Sequence, residues 1–218
     1  MTGRRPLLVF VHGWGFDASF WNPLRAALPE FDDLAFDLGF LGDESLPEVP
    51  AGGRRVAVGH STGFLWLLKA KPFAWDALVS INGFSRFVEG EGFRPAVAPR
   101  LLDRMIARLG HCPEEVTADF LARCGSREKP GRLNPERLHE GLIWLRDWDA
   151  RAELDSDSTP VLVLAGKRDP IVPVAMTEHC FAANSRIVRR WHETGGHLLP
   201  LSAPAWCARH IREFFVNA

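Results

Sequence analysis

Short, continuous apolar runs recur along this chain and alternate with segments in which apolar residues have helical spacing. The candidate strands are Leu7–Val11, Leu34–Asp37, Arg55–Val58, Ala77–Ile81, Val161–Leu164 and Arg186–Arg190. Several of them show no polar alternation, which is expected for parallel strands that are buried on both faces. Strands that alternate with helices predict an α/β fold, in which a mostly parallel sheet is flanked by helices.

Residues 84–150 interrupt this alternation, because they contain no convincing strand and at least three helical patterns. The first pattern ends at Leu109, the second begins at Pro113 and the third begins at Asn134. An all-helical insertion in an α/β chain predicts a cap over a pocket, and we call residues 84–150 the cap segment. Residues 1–83 and 151–218 then form the core of the domain. The alternative is that the insertion only adds helical packing to the outside of the domain.

The composition excludes several classes of protein. The 218 residues include 46% hydrophobic and 24% charged side chains, which are the proportions of a soluble globular domain. Because 26 basic and 27 acidic residues nearly cancel, the net charge gives no support to nucleic-acid binding. The chain contains no tyrosine, so no mechanism that uses a phenol is available to it.

The cysteines and the lengths of the apolar runs bear on the compartment. The four cysteines are Cys112, Cys124, Cys180 and Cys207, and no pair has metal-binding spacing. We expect reduced, packed thiols in a cytoplasmic protein that uses neither a metal nor another cofactor. Only five apolar residues directly precede His12, too few for a signal-peptide core, and no other run is long enough to span a membrane.

The most informative local motif is Gly59-His60-Ser61-Thr62-Gly63, which follows a buried strand and precedes a helical apolar run. A G-x-S-x-G sequence in a sharp strand-to-helix turn presents the serine oxygen at the end of the sheet. Glycines on both sides let neighbouring backbone approach closely, and the N-terminus of the helix favours negative charge that develops there. We therefore predict that Ser61 is a nucleophile; the alternative is an ordinary turn rich in glycine and serine.

A second glycine-rich segment, His12-Gly13-Trp14-Gly15, directly follows the first strand. A loop at this place can direct a backbone N–H into the site beside the serine. We predict an oxyanion hole formed by the amides of Trp14 and Thr62; the alternative is a simple glycine turn. The side chain of His12 is expected to orient the loop rather than to carry a proton.

A serine nucleophile needs a base, and the base needs an orienting carboxylate. Asp169 follows the strand that ends at Leu164, so it lies at the edge where open α/β sheets build their sites. Of the eight histidines, His197 is the favoured base, because it lies between the last strand and the last helix. The nearest rival, His192, falls at a strand end. His60 adjoins the nucleophile, with a side chain that we expect to point away from the oxyanion site.

Together these residues resemble the α/β-hydrolase family, in which nucleophile, acid and base follow in the order Ser61, Asp169, His197. Within it, the chain is most similar to the methyl ester esterases that act on pimeloyl chains held by acyl carrier protein in biotin synthesis. The shared segments are Val11–Gly15 with Phe20-Trp21, Ile81–Phe84, Gly141–Arg146 with Asp149 and Arg151, and Gly196-His197 with Pro200 and Ala203-Pro204.

The sequence departs from that subfamily at two places near the nucleophile. His60 stands where these esterases usually have tryptophan, and a second glycine that usually follows the serine is absent. The segment between Asp37 and Val56 is short, so the helix expected there is missing or reduced. These departures remove no part of the predicted catalytic set.

The resemblance implies an α/β-hydrolase fold and a serine carboxylesterase that hydrolyses an acyl ester through an acyl-enzyme. The best substrate is the methyl ester of a carrier-bound, pimeloyl-type chain. A broad carboxylesterase for short acyl chains, a C–C bond hydrolase of the same fold and a non-catalytic ligand receptor are the alternatives. Candidates for the acyl channel are Trp14, Phe84, Leu102, Met105, Phe120 and Trp144, each of which could equally belong to a packed core.

The same resemblance implies that basic residues of the cap segment recognise acyl carrier protein. Arg100, Arg104 and Arg108 recur at every fourth position, so they form one stripe along the first predicted cap helix. Arg123 and Arg127 add positive charge further along the chain, and an acidic carrier protein would dock on such a surface. The alternative is a solvated helix face, because the cap segment as a whole is charge-balanced.

Overall fold

A computed structural model describes residues 5–127, 129–182 and 186–217 of the chain. Six parallel strands form one sheet in the order β2-β1-β3-β4-β5-β6. The strands are β1 (Leu7–Val11), β2 (Asp32–Phe36), β3 (Arg55–His60), β4 (Ala77–Ile81), β5 (Val161–Gly166) and β6 (Ile187–His192). The order of the strands reverses between β1 and β3, and in open α/β sheets such a point marks the ligand site.

All six predicted strands are present, and only their ends differ from the sequence-based bounds. β3 continues to His60 and β5 continues to Gly166, each beyond the expected last residue. A glycine near the end of a run predicts the end of a strand, because glycine contributes no side-chain packing. Here pairing overrides that preference, since Gly59 lies opposite Ser80 of β4 and Gly166 lies opposite His192 of β6.

Helices cover both faces of the sheet. They are α1 (Asn22–Ala26), α2 (Thr62–Ala70), α3 (Pro99–Leu109), α4 (Pro113–Cys124), α5 (Pro135–Asp147), α6 (Arg151–Ser156), α7 (Val174–Cys180), α8 (Leu199–Ser202) and α9 (Pro204–Asn217), with a short 3₁₀ helix, Ala18–Trp21, before α1. The sequence did not predict α6, α7 and α8. With seven residues or fewer, none of these three is long enough to show a clear helical period.

The cap segment contains α3, which ends at the predicted residue, and α4 and α5, which begin at or beside the residues predicted for them. Their first residues are Pro99, Pro113 and Pro135, and a proline costs nothing there because its missing N–H would have no acceptor in the helix. The side chain of Asn134 accepts a backbone N–H from the first turn of α5. The cap segment, which is described except at residue 128, contributes no strand to the sheet.

The two ends of the cap segment, where the chain leaves the core and returns to it, lie next to each other. The backbones of Arg86 and Asp149 form an isolated antiparallel bridge, and their side chains form an ion pair. Arg151 also pairs with Asp149, with 2.7 Å between the guanidinium Nη2 and the carboxylate. The backbone N–H of Ala150 donates to the carbonyl of Ser85 at 2.8 Å. These contacts hold the two ends of the cap segment side by side.

The hydrophobic core fills the space between the sheet and its helices. The residues of β4 and β5 are all buried, whereas the edge strands β2 and β6 are only partly buried. Residues 38–54, all of which the structure describes, form no helix, as their short length predicted. Among the described residues, no helix combines the length and the apolar character that crossing a bilayer requires.

Candidate active site

Ser61 occupies a strained turn between the end of β3 and the start of α2. Its φ of 52° and ψ of −124° lie outside the regions that most L-residues adopt. Two glycines allow the turn, because a Cβ on Gly59 would lie 2.4 Å from the Cα of Phe64. A Cβ on Gly63 would lie 2.2 Å from the carbonyl oxygen of Val11. Close backbone packing therefore requires both glycines of the motif, and Ser61 lies at the carboxyl end of the sheet.

Ser61 lies at one end of a series of hydrogen bonds that joins three loops. The Nε2 atom of His197 lies 3.1 Å from the Oγ of Ser61, and its Nδ1 lies 2.8 Å from the Oδ2 of Asp169. Because a carboxylate only accepts, Nδ1 carries the ring proton and Nε2 is free to accept the hydroxyl proton of Ser61. The structure thus brings together the three residues that the sequence selected as nucleophile, base and acid.

The carboxylate of Asp169 is oriented by the backbone that follows it. Its Oδ1 accepts the N–H of Ile171 at 2.7 Å and the N–H of Val172 at 2.9 Å, which leaves Oδ2 for the imidazole of His197. The side chains of Asp169 and His197 are each only 1% exposed. Their interaction is therefore little screened by water, and the carboxylate holds the imidazole in one orientation.

The two predicted oxyanion donors belong to neighbouring elements of the sheet edge. Thr62 is the first residue of α2, where a backbone N–H has no acceptor inside the helix. Trp14 lies in the loop after β1, the strand that pairs with β3. The indole Nε1 of Trp14 donates to the carbonyl of Leu138 in α5 at 2.8 Å, and the ring packs edge-on to Phe120 in α4. The loop that contains Trp14 is thus anchored on the cap segment.

His12 holds the beginning of the same loop. The backbone N–H of Leu38 donates to its Nε2 at 3.0 Å, so Nδ1 carries the proton and donates to the carbonyl of Gly13 at 2.9 Å. The side chain is completely buried. These contacts tie the loop after β1 to the segment after β2.

An apolar cavity of about 440 Å³ lies between the cap segment and the core. Its lining residues are Phe87, Pro95, Ala96, Val97, Ala98, Leu101, Leu102, Met105, Phe120, Arg123, Leu142, Leu145, Pro170, Ile171, Pro173, Ala175 and Met176. Three of the predicted channel residues, Leu102, Met105 and Phe120, belong to this lining. The core contributes Pro170 and Ile171, which directly follow Asp169. No sequence pattern indicates this core wall, because it depends on how α7 and its preceding loop fold against the cap segment.

The other three predicted channel residues do not line this cavity. Phe84 is fully buried and its ring lies 4.8 Å from that of Phe87, while Trp144 stacks on Trp148 with centroids 5.0 Å apart. Trp14 is bound between α4 and α5. Aromatic character alone does not distinguish a packed ring from one that lines a cavity, and the sequence offered no further criterion.

The described residues hold no group of three or more histidine, cysteine, aspartate or glutamate side chains arranged to bind a metal ion. All four cysteines are free thiols. Ser61, His197 and Asp169 bring a hydroxyl, an imidazole and a carboxylate together at the carboxyl end of the sheet. This set is able to activate a hydroxyl and to store the proton that it releases.

A family model described as the alpha/beta hydrolase family matches residues 8–210, which include β1 from its second residue, the other five strands and the start of α9. The chain belongs to the alpha/beta hydrolase family. The predicted fold class is thereby confirmed, and the comparisons support a hydrolase.

Curated relatives of this hydrolase include several esterases. A pimeloyl-[acyl-carrier protein] methyl ester esterase from Methylococcus capsulatus is 29% identical, over 100% of this chain and 97% of its own length. One from Legionella pneumophila is 27% identical over 78% of this chain and 79% of its own length. The biotin biosynthesis bifunctional protein BioHC of Cellvibrio japonicus is 27% identical over 97% of this chain, which spans 48% of that longer protein. The expected resemblance to this group of esterases is confirmed.

Solved structures with the same fold extend over nearly the whole hydrolase. An esterase from Exiguobacterium antarcticum superposes with a TM-score of 0.82, covering 97% of this chain and 92% of its own, at 16% identity. A thermophilic esterase from Thermogutta terrifontis superposes with a TM-score of 0.79, covering 99% of this chain and 91% of its own, at 20% identity. At these identities the likeness shows the fold alone.

The five arginines predicted to dock a carrier protein differ in their surroundings in this hydrolase. Arg100, Arg104, Arg108, Arg123 and Arg127 are all exposed. Arg108 is neutralised, because it pairs with Glu115 at 2.8 Å and with Asp119 at 2.7 Å. Arg104 and Arg123 form no ion pair with a described residue, and both line a groove of about 250 Å³ between α3 and α4. The positive charge of this groove therefore comes mainly from these two residues.

Proposed function

We propose that this hydrolase is a serine carboxylesterase that forms an acyl-enzyme on Ser61. The observation that carries the proposal is the hydrogen-bonded series Ser61, His197 and Asp169, with distances of 3.1 Å and 2.8 Å. A hydroxyl is a weak nucleophile at neutral pH, and a neutral imidazole within hydrogen-bond distance supplies the base that it lacks. The esterases among its relatives support an ester as the substrate.

In the first half of the reaction, Nε2 of His197 accepts the hydroxyl proton while Oγ of Ser61 attacks the ester carbonyl carbon. Asp169 stabilises the resulting imidazolium through its hydrogen bond to Nδ1. The backbone N–H groups of Trp14 and Thr62 bind the oxyanion of the tetrahedral intermediate. When this intermediate collapses, the bond to the alcohol oxygen breaks, and the alcohol leaves with the proton from Nε2.

In the second half, water replaces the alcohol and the proton transfers run in reverse. His197 takes a proton from the water as its oxygen attacks the acyl carbon, and the same oxyanion donors bind the second intermediate. The bond to Ser61 then breaks, and Oγ recovers its proton from Nε2. One ester and one water give one carboxylic acid and one alcohol, and the enzyme returns to its starting state.

We assign the cap segment as the part that selects the acyl chain. Its cavity of about 440 Å³ is walled by apolar side chains such as Leu102, Met105 and Phe120, which suit a hydrocarbon chain. Ser61 is only 4% exposed and His197 only 1% exposed. Because both catalytic side chains are buried, we propose that the protein opens at the carboxyl end of the sheet when an ester enters.

We propose the methyl ester of a carrier-bound, pimeloyl-type acyl chain as the substrate. The names of the relatives support this choice, and so does the apolar character of the cavity. Arg104 and Arg123 lie beside the cavity in the groove between α3 and α4, where they would attract an acidic carrier protein. Met105 and Phe120 line both the cavity and the groove, so the proposed acyl site and the proposed docking surface lie side by side.

The esterase activity is tested with p-nitrophenyl esters of graded acyl length. Wild-type protein is expected to hydrolyse them, and Ser61→Ala is expected to lower kcat by about 10⁶-fold, as in other serine hydrolases. The matched control is Ser80→Ala, which removes a buried hydroxyl without a hydrogen-bond partner from β4. Ester turnover that survives in Ser61→Ala would contradict the mechanism. Cleavage of a diketone without turnover of any ester would favour the C–C bond hydrolase.

The physiological substrate is tested by growth without biotin. The gene is placed in a strain from which the pimeloyl-carrier methyl ester esterase has been deleted. Growth with the wild-type gene, but not with Ser61→Ala, is the expected result. Failure to grow, combined with robust hydrolysis of small esters, would reject the biotin substrate and leave a broad carboxylesterase.

A further inference from the structure

Asn82, which directly follows β4, uses its whole side chain to join two loops of the active site. Its Nδ2 donates to the carbonyl of Gly196 at 2.9 Å and to the carbonyl of His197 at 2.7 Å. Its Oδ1 accepts the backbone N–H of Gly166 at 2.9 Å. The amide is buried and both of its ends are satisfied, so its orientation is fixed by the hydrogen bonds themselves.

The two loops that Asn82 joins are the loop of the acid (residues 166–169) and the loop of the base (residues 193–197). Their backbones are in direct contact, since the N–H of Arg168 donates to the carbonyl of Gly195 at 2.9 Å. A Cβ on Gly166 would lie 2.3 Å from the same carbonyl oxygen. Asn82 therefore sets the distance between the two loops. The same distance determines how far the carboxylate of Asp169 lies from the imidazole of His197.

The backbone of Asn82 favours this residue type as well. Its φ is 47°, in the left-handed region that asparagine and aspartate tolerate better than other residues with a side chain. Its own N–H donates to the carbonyl of Leu164 in β5 at 2.8 Å. The backbone of Asn82 thus binds β5, the strand that leads into the acid loop, and its side chain binds the base loop.

His60 supplies another hydrogen bond to the same carbonyl of the base loop. Its Nε2 lies 2.9 Å from the carbonyl oxygen of His197, and because a carbonyl only accepts, Nε2 carries the proton. Its Nδ1 is then bare and faces Gly13, where an added Cβ would lie 2.8 Å away. The ring packs on Phe20 with centroids 4.5 Å apart. His60 therefore fills the space between the loop after β1 and the base loop.

We propose that Asn82 and His60 are positioning residues that hold the backbone of His197, so that its imidazole stays in register between Ser61 and Asp169. Their hydrogen bonds go to the backbone of the base loop and not to the reacting atoms. The proposal rests on the proposed role of His197 as the base. Asn82 and His60, at the ends of β4 and β3, would determine through their hydrogen bonds where the imidazole of His197 lies.

The first test is Asn82→Asp, which keeps the size of the side chain and its tolerance of a left-handed φ. The carboxylate still accepts the N–H of Gly166 but presents an oxygen to the carbonyls of Gly196 and His197. Turnover of p-nitrophenyl butyrate is expected to fall about 10²-fold in kcat, the effect of a misplaced catalytic group, with little change in KM. The matched control is Asn82→Gly, which accepts the same φ and removes the repulsion; its kcat is expected to lie between those of wild type and Asn82→Asp.

The second test uses a pair of substitutions at the neighbouring position. His60→Phe keeps the ring but removes the N–H donor, and its kcat is expected to fall by about tenfold, the value of one hydrogen bond. His60→Gln keeps an N–H near the place of Nε2 and is expected to restore most of that loss. Equal kcat values in His60→Phe and His60→Gln would overturn the role of His60, even where Asn82→Asp does not fold.

A spectroscopic readout separates this proposal from the proposed esterase function. The proton that His197 Nδ1 shares with Asp169 gives a low-field NMR resonance, which is observed without any substrate. Asn82→Asp is expected to shift this resonance or to speed its exchange with water. An unchanged resonance and an unchanged kcat in folded Asn82→Asp would overturn the positioning role. If wild-type protein hydrolyses no ester but the resonance responds, the esterase function fails and the positioning role stands.

Discussion

The core and the cap segment hold their functional side chains by different forces. In the core, Ser61, Asp169 and His197 are fixed by directional hydrogen bonds between buried groups. In the cap segment, the cavity is formed by apolar side chains whose contacts have no preferred direction. Hydrogen-bond geometry tolerates little displacement, whereas apolar walls of similar volume tolerate many substitutions. We therefore propose that the core sets the reaction and that the cap segment sets the choice of acyl chain.

Trp14 connects these two regions. Its backbone belongs to the loop that we propose as part of the oxyanion hole, and its indole donates to the carbonyl of Leu138 in α5. Gly141, one turn further along α5, leaves room for the indole, since a Cβ there would lie 2.7 Å from its Cδ1. A movement of α5 would therefore shift the indole of Trp14, and with it the backbone N–H that we propose as an oxyanion donor.

After that of Ser61→Ala, the largest expected effect is that of Asp169→Asn, which tests the core. The amide nitrogen would donate toward Nδ1 of His197, which then presents its proton to Ser61 and can no longer accept the hydroxyl proton. We expect kcat to fall about 10⁴-fold at neutral pH. The control is Asp155→Asn on the surface of α6, and the measurement is steady-state turnover of p-nitrophenyl butyrate. A fall smaller than about tenfold would contradict the role of Asp169.

A substitution in the cap segment is expected to change the preferred substrate more than the reaction itself. Met105→Trp places an indole in the cavity, so long acyl chains lose their space while acetyl esters keep theirs. We expect kcat/KM for a p-nitrophenyl octanoate to fall about tenfold or more relative to the acetate. Met105→Leu, which nearly conserves volume, is the control and is expected to keep the wild-type preference. An equal loss for both esters in Met105→Trp would show that the cavity does not select the chain.

A charge reversal on the outside of the cap segment is expected to have a smaller effect, confined to carrier-bound substrate. Arg104→Glu places a negative charge in the groove, where it would repel an acidic carrier protein. The kcat/KM for a carrier-bound methyl ester is expected to fall several-fold more than that for the free methyl ester, most clearly at low salt. Arg209→Glu on α9 reverses a charge on the core and is the control. If the ratio of kcat/KM for the carrier-bound ester to that for the free ester is the same in both variants, Arg104 is not part of the docking surface.

The smallest expected effect concerns the stability of the core. Burial, followed by the neighbouring His197, holds the pKa of His60 well below its ordinary value. The unfolded chain therefore binds a proton that the folded chain does not, and stability falls as the pH falls below about 6.5, by at most about 1.4 kcal/mol per pH unit. His60→Gln does not titrate, so its free energy of unfolding is expected to depend less on pH.

Urea unfolding of wild type and His60→Gln at about pH 7 and about pH 5 provides the measurement, because both proteins share every other titratable group. Wild type is expected to lose more stability than His60→Gln on acidification. The same loss in both proteins would show that His60 is not held neutral by the core.

The sequence predicted the parts of the molecule that depend on local pattern. The six strands follow from apolar runs, and Ser61 follows from glycines that close backbone packing requires. Asp169 and His197 follow from their places after β5 and β6, since the carboxyl ends of parallel strands meet at one edge. The prediction of the cap helices α3, α4 and α5 rests in the same way on helical spacing and on prolines at their starts.

What the sequence could not predict depends on contacts between residues far apart in the chain. The hydrogen bond from Trp14 to Leu138 spans 124 positions, and that from Asn82 to His197 spans 115. No local pattern encodes either contact. The core wall of the cavity, which includes Ile171, is likewise set by how the loop before α7 meets the cap segment. In the same way, no local pattern indicates that the amide of Asn82 joins two loops.

Covalent trapping shows whether Ser61 is the nucleophile that His197 and Asp169 activate. A fluorophosphonate reacts with an activated serine and leaves a stable phosphonyl group on its oxygen. Peptide mass spectrometry after complete inactivation of ester turnover is expected to find one such group, on Ser61, and labelling is expected to be far slower in Asp169→Asn. A label on another residue, or full inactivation with Ser61 unmodified, would show that Ser61 is not the nucleophile.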